Sequence, residues 1–272
     1  MLRFNRKPYR GRIRAVFFDW AGTIIDYGSC APAGAFIAAF REHGVLVTQS
    51  EAREPMGRAK WDHVAALLAM PTVAARWQDA HGRTATSADI DAIYASFQPL
   101  QQAVLADHAE LIPGFLDTVA FLRQQGIRIG TSTGYSRIQT AVLLQAAKEQ
   151  GFVPDAAVCA EDVPAGRPAP WMLLENARQL QIYPGSAIIT VDDTPVGIEA
   201  GRNADTWTVG VTRSGNELGL TISEVAALPP AELTRRLEHA RQRLSAAGAD
   251  FVIDTVAELP AVIQEIEREQ TA

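Results

Sequence analysis

The chain has 272 residues, 47% of them hydrophobic and 21% charged, a composition suited to one large α/β domain or a core with a smaller companion. Its net charge of −6 gives no reason to expect nucleic acid as a partner, while an anionic substrate stays open because a site's field is set locally. Cys30 and Cys159 are the only cysteines and form no Cys-x-x-Cys, so neither a disulfide framework nor a structural zinc site is expected.

The leader from Met1 to Arg12 carries Arg3, Arg6, Lys7, Arg10 and Arg12 with no apolar stretch behind it, which reads as a frayed basic tail rather than a secretory signal. No run is long enough to span a membrane, and the cytoplasm is the expected compartment. Ile13 to Phe18 reads as a first strand. Val16, Phe17 and Phe18 on consecutive positions imply burial on both faces, and the strand ends on Asp19 before breaking into Trp20-Ala21-Gly22-Thr23. Asp26 to Ser29 reads as a loop. From about Pro32 to Ala106 the patterns are helical only, with apolar positions at Phe36, Ile37 and Phe40, at Trp61, Val64 and Leu68, and at Ile90, Ile93, Tyr94 and Phe97. Beyond Pro113-Gly114 the pattern becomes alternating. A helix through Phe115 and Leu122 precedes a strand from Ile127 to Thr133, and strands follow at Ala156 to Cys159, Ala187 to Val191, Thr206 to Val211 and Phe251 to Ile253, with helices between them. Such alternation predicts an α/β fold, a Rossmann-like parallel sheet core with helices on both faces and an inserted α-helical domain. The expected boundaries are residues 1–27 and 107–272 for the core and 28–106 for the insert.

Four strand ends or helix starts carry polar groups suited to one site. Asp19 is the first, beside the backbone N–H groups of Gly22 and Thr23. Thr131-Ser132-Thr133-Gly134 is a hydroxyl-rich turn opening a helix, a natural holder of a phosphoryl oxygen. Arg167 sits in the tight turn Ala165-Gly166-Arg167-Pro168, and Asp192-Asp193-Thr194 closes another buried strand. Carboxylates from two strand ends, with a nearby carbonyl, make a hard oxygen site suited to Mg²⁺.

This order of Asp-x-x-Gly-Thr, strand-end Thr, basic residue and strand-end Asp-Asp resembles the haloacid dehalogenase superfamily of aspartyl-nucleophile enzymes. The resemblance covers nearly the whole chain, and the helical insert stands where the superfamily places a cap. Within that superfamily two features resemble the carbon–phosphorus-cleaving phosphonatase branch. Ala21 stands where phosphatases carry a second Asp, and Pro55-Met56-Gly57-Arg58-Ala59-Lys60-Trp61-Asp62-His63 lies in the insert. Gly130 to Tyr135 and Pro164 to Met172 also resemble that branch.

The resemblance implies hydrolysis of phosphonoacetaldehyde to acetaldehyde and phosphate. A phosphatase needs an acid beside its nucleophile to protonate an alkoxide, whereas P–C cleavage expels a carbanion that an iminium can take up as an enamine. The implied roles are Asp19 as nucleophile, Lys60 as Schiff-base amine and His63 as proton shuttle. Thr133 and Arg167 would hold the phosphonate, with Tyr135 and Met56 lining the cleft. Mg²⁺ would be held by Asp19, the Ala21 carbonyl and Asp193, and a homodimer is expected. At helical spacing Lys60 should neighbour Met56, His63, Val64 and Leu67, a surround that lowers the pKa of its amine. Many superfamily members place another Asp at the position of Gly197, so Asp192 or an acid elsewhere, such as Asp162, is expected to take over that carboxylate's work. Two other readings remain. One is a phosphomonoesterase of the same fold. The other is a serine α/β-hydrolase, because Gly130-x-Ser132-x-Gly134 fits a nucleophile elbow, with His239 the only histidine that follows.

Overall fold

The apolar run at the start of the chain forms β1 (Ala15–Phe18), and all of it is buried. The later strands are β2 (Arg128–Thr133), β3 (Ala156–Cys159), β4 (Ile188–Asp192), β5 (Trp207–Val211) and β6 (Phe251–Ile253). Together they make one six-stranded sheet of order β3-β2-β1-β4-β5-β6, parallel throughout. The order reverses at β1, which lies between β2 and β4, so the carboxyl ends of β1 and β4 flank the crevice where open α/β sheets bind ligands. The structure, a computed structural model, describes residue 9 and residues 11–271. Arg3, Arg6, Lys7 and Arg10 of the basic leader lie outside the described residues.

The insert after β1 holds α1 (Cys30–Glu42), α2 (Gln49–Arg53), α3 (Lys60–Ala69), α4 (Pro71–His81) and α5 (Ser87–Leu105), and α6 (Phe115–Gln124) then leads into β2. After β2 come α7 (Arg137–Glu149), α8 (Trp171–Leu180), α9 (Pro195–Asn203), α10 (Ile222–Ala227), α11 (Pro230–Ala246) and α12 (Leu259–Thr271). Alternate residues of β1 serve opposite layers. Val16 and Phe18 pack with Phe115 and Leu122 of α6, Leu143 of α7 and Ile263 of α12. Ala15 and Phe17 pack with Leu173 and Leu180 of α8 and Ala200 of α9. Each fully buried Phe contributes about 1.5–3 kcal/mol, so both layers are held through the strand that carries Asp19.

The five helices of the insert enclose a separate apolar cluster that includes Phe36, Phe40, Val64, Leu67, Trp77, Ile93 and Phe97. Two of these helices escape the apolar period. α2 is only five residues long and is fixed by a Thr48–Glu51 capping box, and α4 buries only Val73 and Trp77. Trp61, expected on the apolar face of α3, is instead 38% exposed and donates its indole N–H to Asp91 at 2.7 Å. Among the described residues no helix is long and apolar enough to cross a membrane.

Candidate active site

Asp19 directly follows β1, and its N–H bonds the Val191 carbonyl at 2.9 Å, which anchors it to the adjacent strand. Asp192 ends β4 and Asp193 follows. One oxygen from each of Asp19, Asp192 and Asp193 lies within 4.8 Å of the others, and all three residues are buried. Arg167 draws the strand ends together. Its guanidinium reaches Asp19 at 2.5 Å and Asp192 at 3.4 Å, and donates to both the carbonyl and the hydroxyl of Ser132 at 2.8 Å. Asp193 is held separately, by the Asn216 backbone N–H at 2.7 Å and by the Thr23 hydroxyl at 3.5 Å.

This cluster has more negative charge than its own cations balance. Burial pushes Asp19 up to about 7, with Arg167 opposing the push and Asp192 adding to it. Burial, Asp19 and Asp192 together hold Asp193 well above the usual carboxylate range. Burial also works against the Arg167 charge, but Asp19 and Asp192 overcome it and raise the guanidinium further. Hard oxygen donors crowded at one point in excess of positive charge fit a divalent cation such as Mg²⁺, which would relieve their repulsion.

The Asp192 carboxylate fills the volume that a side chain at position 197 would need. A Cβ on Gly197 would lie 1.9 Å from the Asp192 carboxyl carbon. Asp192 is fixed there by the N–H and hydroxyl of Thr194, at 2.9 and 2.7 Å, while Thr194 also caps α9 by accepting the Gly197 N–H at 3.2 Å. Asp162, the other carboxylate offered by the sequence, is not brought to the site. It pairs with Arg137 at 2.7 Å and accepts the Cys159 N–H at 2.9 Å, because the turn after β3 folds back on itself.

The opposite wall comes from the turn before α3. A Cβ on Gly134 would stand 2.4 Å from the Arg58 carbonyl oxygen, and one on Gly57, which sits at φ +90°, would stand 2.4 Å from the Thr194 hydroxyl. Glycine at both places lets this turn rest directly on the ends of β2 and β4. Lys60 opens α3, so Met56 lies in the preceding turn and not one helical turn below it, contrary to the spacing expectation. The lysine's apolar surround comes instead from Tyr135, whose ring centre is 4.7 Å from Nζ, and from Phe36 of α1 at 5.8 Å. Burial lowers the Lys60 pKa to about 8, against the pull of the Asp19 carboxylate. The first position of a helix is also unfavourable for a cation.

His63 sits one turn along α3, stacked on Phe36 with ring centres 3.7 Å apart. Its Nε2 bonds the Ala52 carbonyl at 2.9 Å, and a carbonyl only accepts, so Nε2 carries the proton and Nδ1 presents a bare lone pair. That Nδ1 is buried with no hydrogen-bond partner among the described residues. Burial and the neighbouring Lys60 charge push the His63 pKa well below its ordinary value, so the ring is neutral. The Tyr135 hydroxyl is likewise buried without a partner, and burial raises its pKa, keeping the phenol protonated. Thr133 Oγ1 accepts the Tyr135 N–H at 3.2 Å, which leaves its own hydroxyl proton to donate elsewhere.

A cavity of about 20 Å³ joins the two walls, lined by Asp19, Ala21, Met56, Lys60, Thr133, Tyr135, Arg167 and Asp193, with Ser29, Pro32, Gly57, Gly134 and Thr194 beside them. His63 does not line it and stands a layer behind Lys60. Ser29 had no signal in the sequence beyond a loop. It faces the cavity because it takes up a left-handed conformation (φ 50°) at the entry to α1. A larger hollow of about 420 Å³, bordered by Asp26, His108, Leu111 and Ile222, contains none of the clustered carboxylates. The serine-hydrolase arrangement is absent among the described residues. Ser132 Oγ is engaged by Arg167, and His239 is exposed on α11.

A family model described as haloacid dehalogenase-like hydrolase matches residues 13–205. The chain is 46% identical over 262 residues to a protein of Syntrophobacter fumaroxidans named phosphonoacetaldehyde hydrolase, covering 96% of this chain and 95% of that one. It is 49% identical over 255 residues to a protein of the same name from Paraburkholderia phytofirmans, with 94% and 96% covered. The crystal structure of a phosphonoacetaldehyde hydrolase like protein from Oleispira antarctica superposes with a TM-score of 0.95 at 43% identity, over 100% of this chain and 98% of that one. A parallel sheet with Asp19, Thr133, Arg167 and Asp193 gathered at its switch point, together with these matches, settles the family: the chain belongs to the haloacid dehalogenase-like hydrolases.

Proposed function

We propose that the chain hydrolyses the P–C bond of phosphonoacetaldehyde to acetaldehyde and phosphate, the activity named for its relatives. The observation that carries this reading is a buried lysine, Lys60, facing the same cavity as Asp19 and as Ala21, where a phosphatase of this fold would need an acid. In this reading residues 28–106 form a cap over a core made of residues 1–27 and 107–272. A cavity of 20 Å³ holds about one water, so the substrate enters with the cap open and the cap then closes over it.

Lys60, with a pKa of about 8, supplies a useful fraction of free amine at neutral pH. The amine attacks the aldehyde carbon, His63 Nδ1 relays the proton, and loss of water leaves an iminium. Arg167 and Thr133 hold the phosphonate oxygens, while Met56 and Tyr135 enclose the carbon end. The Asp19 carboxylate attacks phosphorus, and the P–C electron pair moves into the enamine on Lys60. Protonation of that enamine at carbon and hydrolysis of the imine release acetaldehyde, and water cleaves the aspartyl-phosphate. Mg²⁺ held by Asp19, the Ala21 carbonyl and Asp193 would offset phosphonate charge as the carboxylate approaches. Ala21 puts no acid two residues after Asp19, which suits an enamine leaving group that needs no proton on oxygen.

Borohydride reduction with and without phosphonoacetaldehyde, followed by peptide mapping, tests the reading. Substrate-dependent mass should appear on the peptide holding Lys60, and Asp19→Asn should keep this trapping while losing phosphate release. Turnover without any trapped adduct would sink the Schiff-base route. Chelation should abolish turnover, and full activity in a chelator would remove the metal from the proposal. A cytoplasmic homodimer completes the reading, and light scattering of the purified chain at monomer mass would refute the dimer.

A further inference from the structure

The cap touches the core at a second place, away from the cavity, through Arg53 at the end of α2. Its guanidinium donates to the Gly28 carbonyl at 2.7 Å and the Ser29 carbonyl at 3.2 Å, both in the segment leading into α1. It also donates to the Asn216 side-chain oxygen at 3.1 Å and the Gly219 carbonyl at 3.1 Å, in the loop after β5. Asn216 answers from the core, its amide nitrogen donating to the Arg53 carbonyl at 3.2 Å. The same residue's backbone N–H is the 2.7 Å donor to Asp193. The next residue on each side adds a second tie, since Arg243 of α11 pairs with Glu54 at 3.2 Å and with Glu217 at 2.5 Å.

We infer that Arg53 and Asn216 form a latch that couples cation binding at Asp193 to closure of the cap. Asn216 holds the Asp193 carboxylate with its backbone and the cap with its side chain. Arg53 lies only a short turn ahead of Met56 and Lys60. Whatever fixes Asp193 therefore also fixes the loop that clasps the cap, and a closed cap in turn orders the loop that orients Asp193. Such coupling is reciprocal by thermodynamic necessity. Both are positioning residues and neither lines the cavity. A lysine at 53 would carry the charge but could not span both segments at once, because an ammonium lacks the planar fork.

The inference rests on the reading of Asp193 as a cation ligand and of residues 28–106 as a cap, and its test needs no substrate. Lys60 is 7% exposed in the closed form, so its rate of modification by an amine-directed reagent, read by peptide mapping, reports opening. In the unaltered protein saturating Mg²⁺ should slow that modification by about fivefold or more, the lower end of typical coupling strengths. Asn216→Ala keeps the backbone N–H on Asp193 but removes both side-chain bonds to Arg53, and there the Mg²⁺ effect should fall below about twofold. Arg53→Met should behave alike, Arg53→Lys should not restore the effect, and thermal unfolding identifies any variant that has lost its fold. Equal protection by Mg²⁺ in the parent and in Asn216→Ala would overturn the latch, as would its absence in the parent. Should the latch pass while borohydride trapping fails, only the Schiff-base chemistry falls.

Discussion

Asp192 and Gly197 share one space: the carboxylate of the first occupies the volume that any Cβ on the second would enter, at 1.9 Å from the Asp192 carboxyl carbon. Of the two acids the sequence offered for the work of a carboxylate at position 197, Asp192 is the one that lies next to Asp19, Asp193 and Arg167.

That shared space predicts a reciprocal pair of variants. Gly197→Asp alone should cost about 1–3 kcal/mol by overpacking, with a further loss from setting one buried carboxylate against another. Asp192→Gly alone should leave Arg167 and Thr194 short of a partner and weaken Mg²⁺ affinity by about 10–100-fold. The double variant should recover most of both losses, as judged by melting temperature and calorimetric Mg²⁺ titration. Additive losses in the double variant would show that the two positions are not interchangeable.

The sequence made the sheet legible because β1 and β4 are fully buried, mostly apolar runs, β2, β3 and β5 alternate with helical patterns, and the strand-end polar residues sit at fixed places relative to them. The gathering of Asp19, Thr133, Arg167 and Asp193 at one edge of the sheet is therefore legible in the sequence. The surroundings of Lys60 are not, since Phe36 and Tyr135 reach it from other elements and helical spacing sees only its own helix. Arg53 and Asn216 were invisible for a related reason. A surface-type Arg and Asn carry no local pattern, and their meaning lies in contacts 163 residues apart along the chain. The choice between Asp192 and Asp162 likewise needed the fold of the turn after β3.

The Lys60 amine should titrate far below an ordinary lysine. Its pKa is lowered from 10.5 to about 8 by burial, so the reactive free amine is the minor form at pH 7 and the major form by pH 9. Its borohydride-trapping rate should rise roughly tenfold per pH unit below the midpoint and level off above it. A midpoint near 10.5 would mean that burial does not tune this lysine.

Ala21→Asp should reverse that tuning. A carboxylate in a buried cavity shared with Lys60 favours the ammonium, so the trapping midpoint should move above 8 and the rate at pH 7 should fall. The same trapping assay reads the shift directly. An unchanged midpoint would mean that the added carboxylate stays protonated or points away.

Gly134→Ala should hold the cap off its seat. The new Cβ would stand 2.4 Å from the Arg58 carbonyl, which is backbone and cannot swing aside. A displacement of about 1 Å at Lys60 is enough to lower turnover about 100-fold. The loss should fall on kcat, with Mg²⁺ affinity of the isolated carboxylate cluster changing far less. Unaltered kcat would mean that the turn before α3 is not seated on the core during reaction.

The last prediction concerns the base of the cap. Asp26, at φ 54°, accepts the N–H groups of Cys30 and Ala31 at the start of α1, and its Oδ1 also meets His108 Nδ1 at 2.9 Å. The pair ties the segment entering the insert to the segment leaving it. The hydrogen bond to Asp26 raises the His108 pKa, with burial opposing and Asp107 adding a smaller push. A pKa raised on folding adds stability that is fully present below the unfolded value of about 6.5 and is lost as pH climbs through the folded one. His108 is partly exposed, so the contribution is no more than about 1 kcal/mol. Melting temperature should therefore fall between pH 6 and pH 8 more steeply in the unaltered protein than in His108→Gln, whose amide can donate to Asp26 at every pH. The charged histidine makes the stronger tie, and parallel curves for the two proteins would assign the pH dependence to other groups.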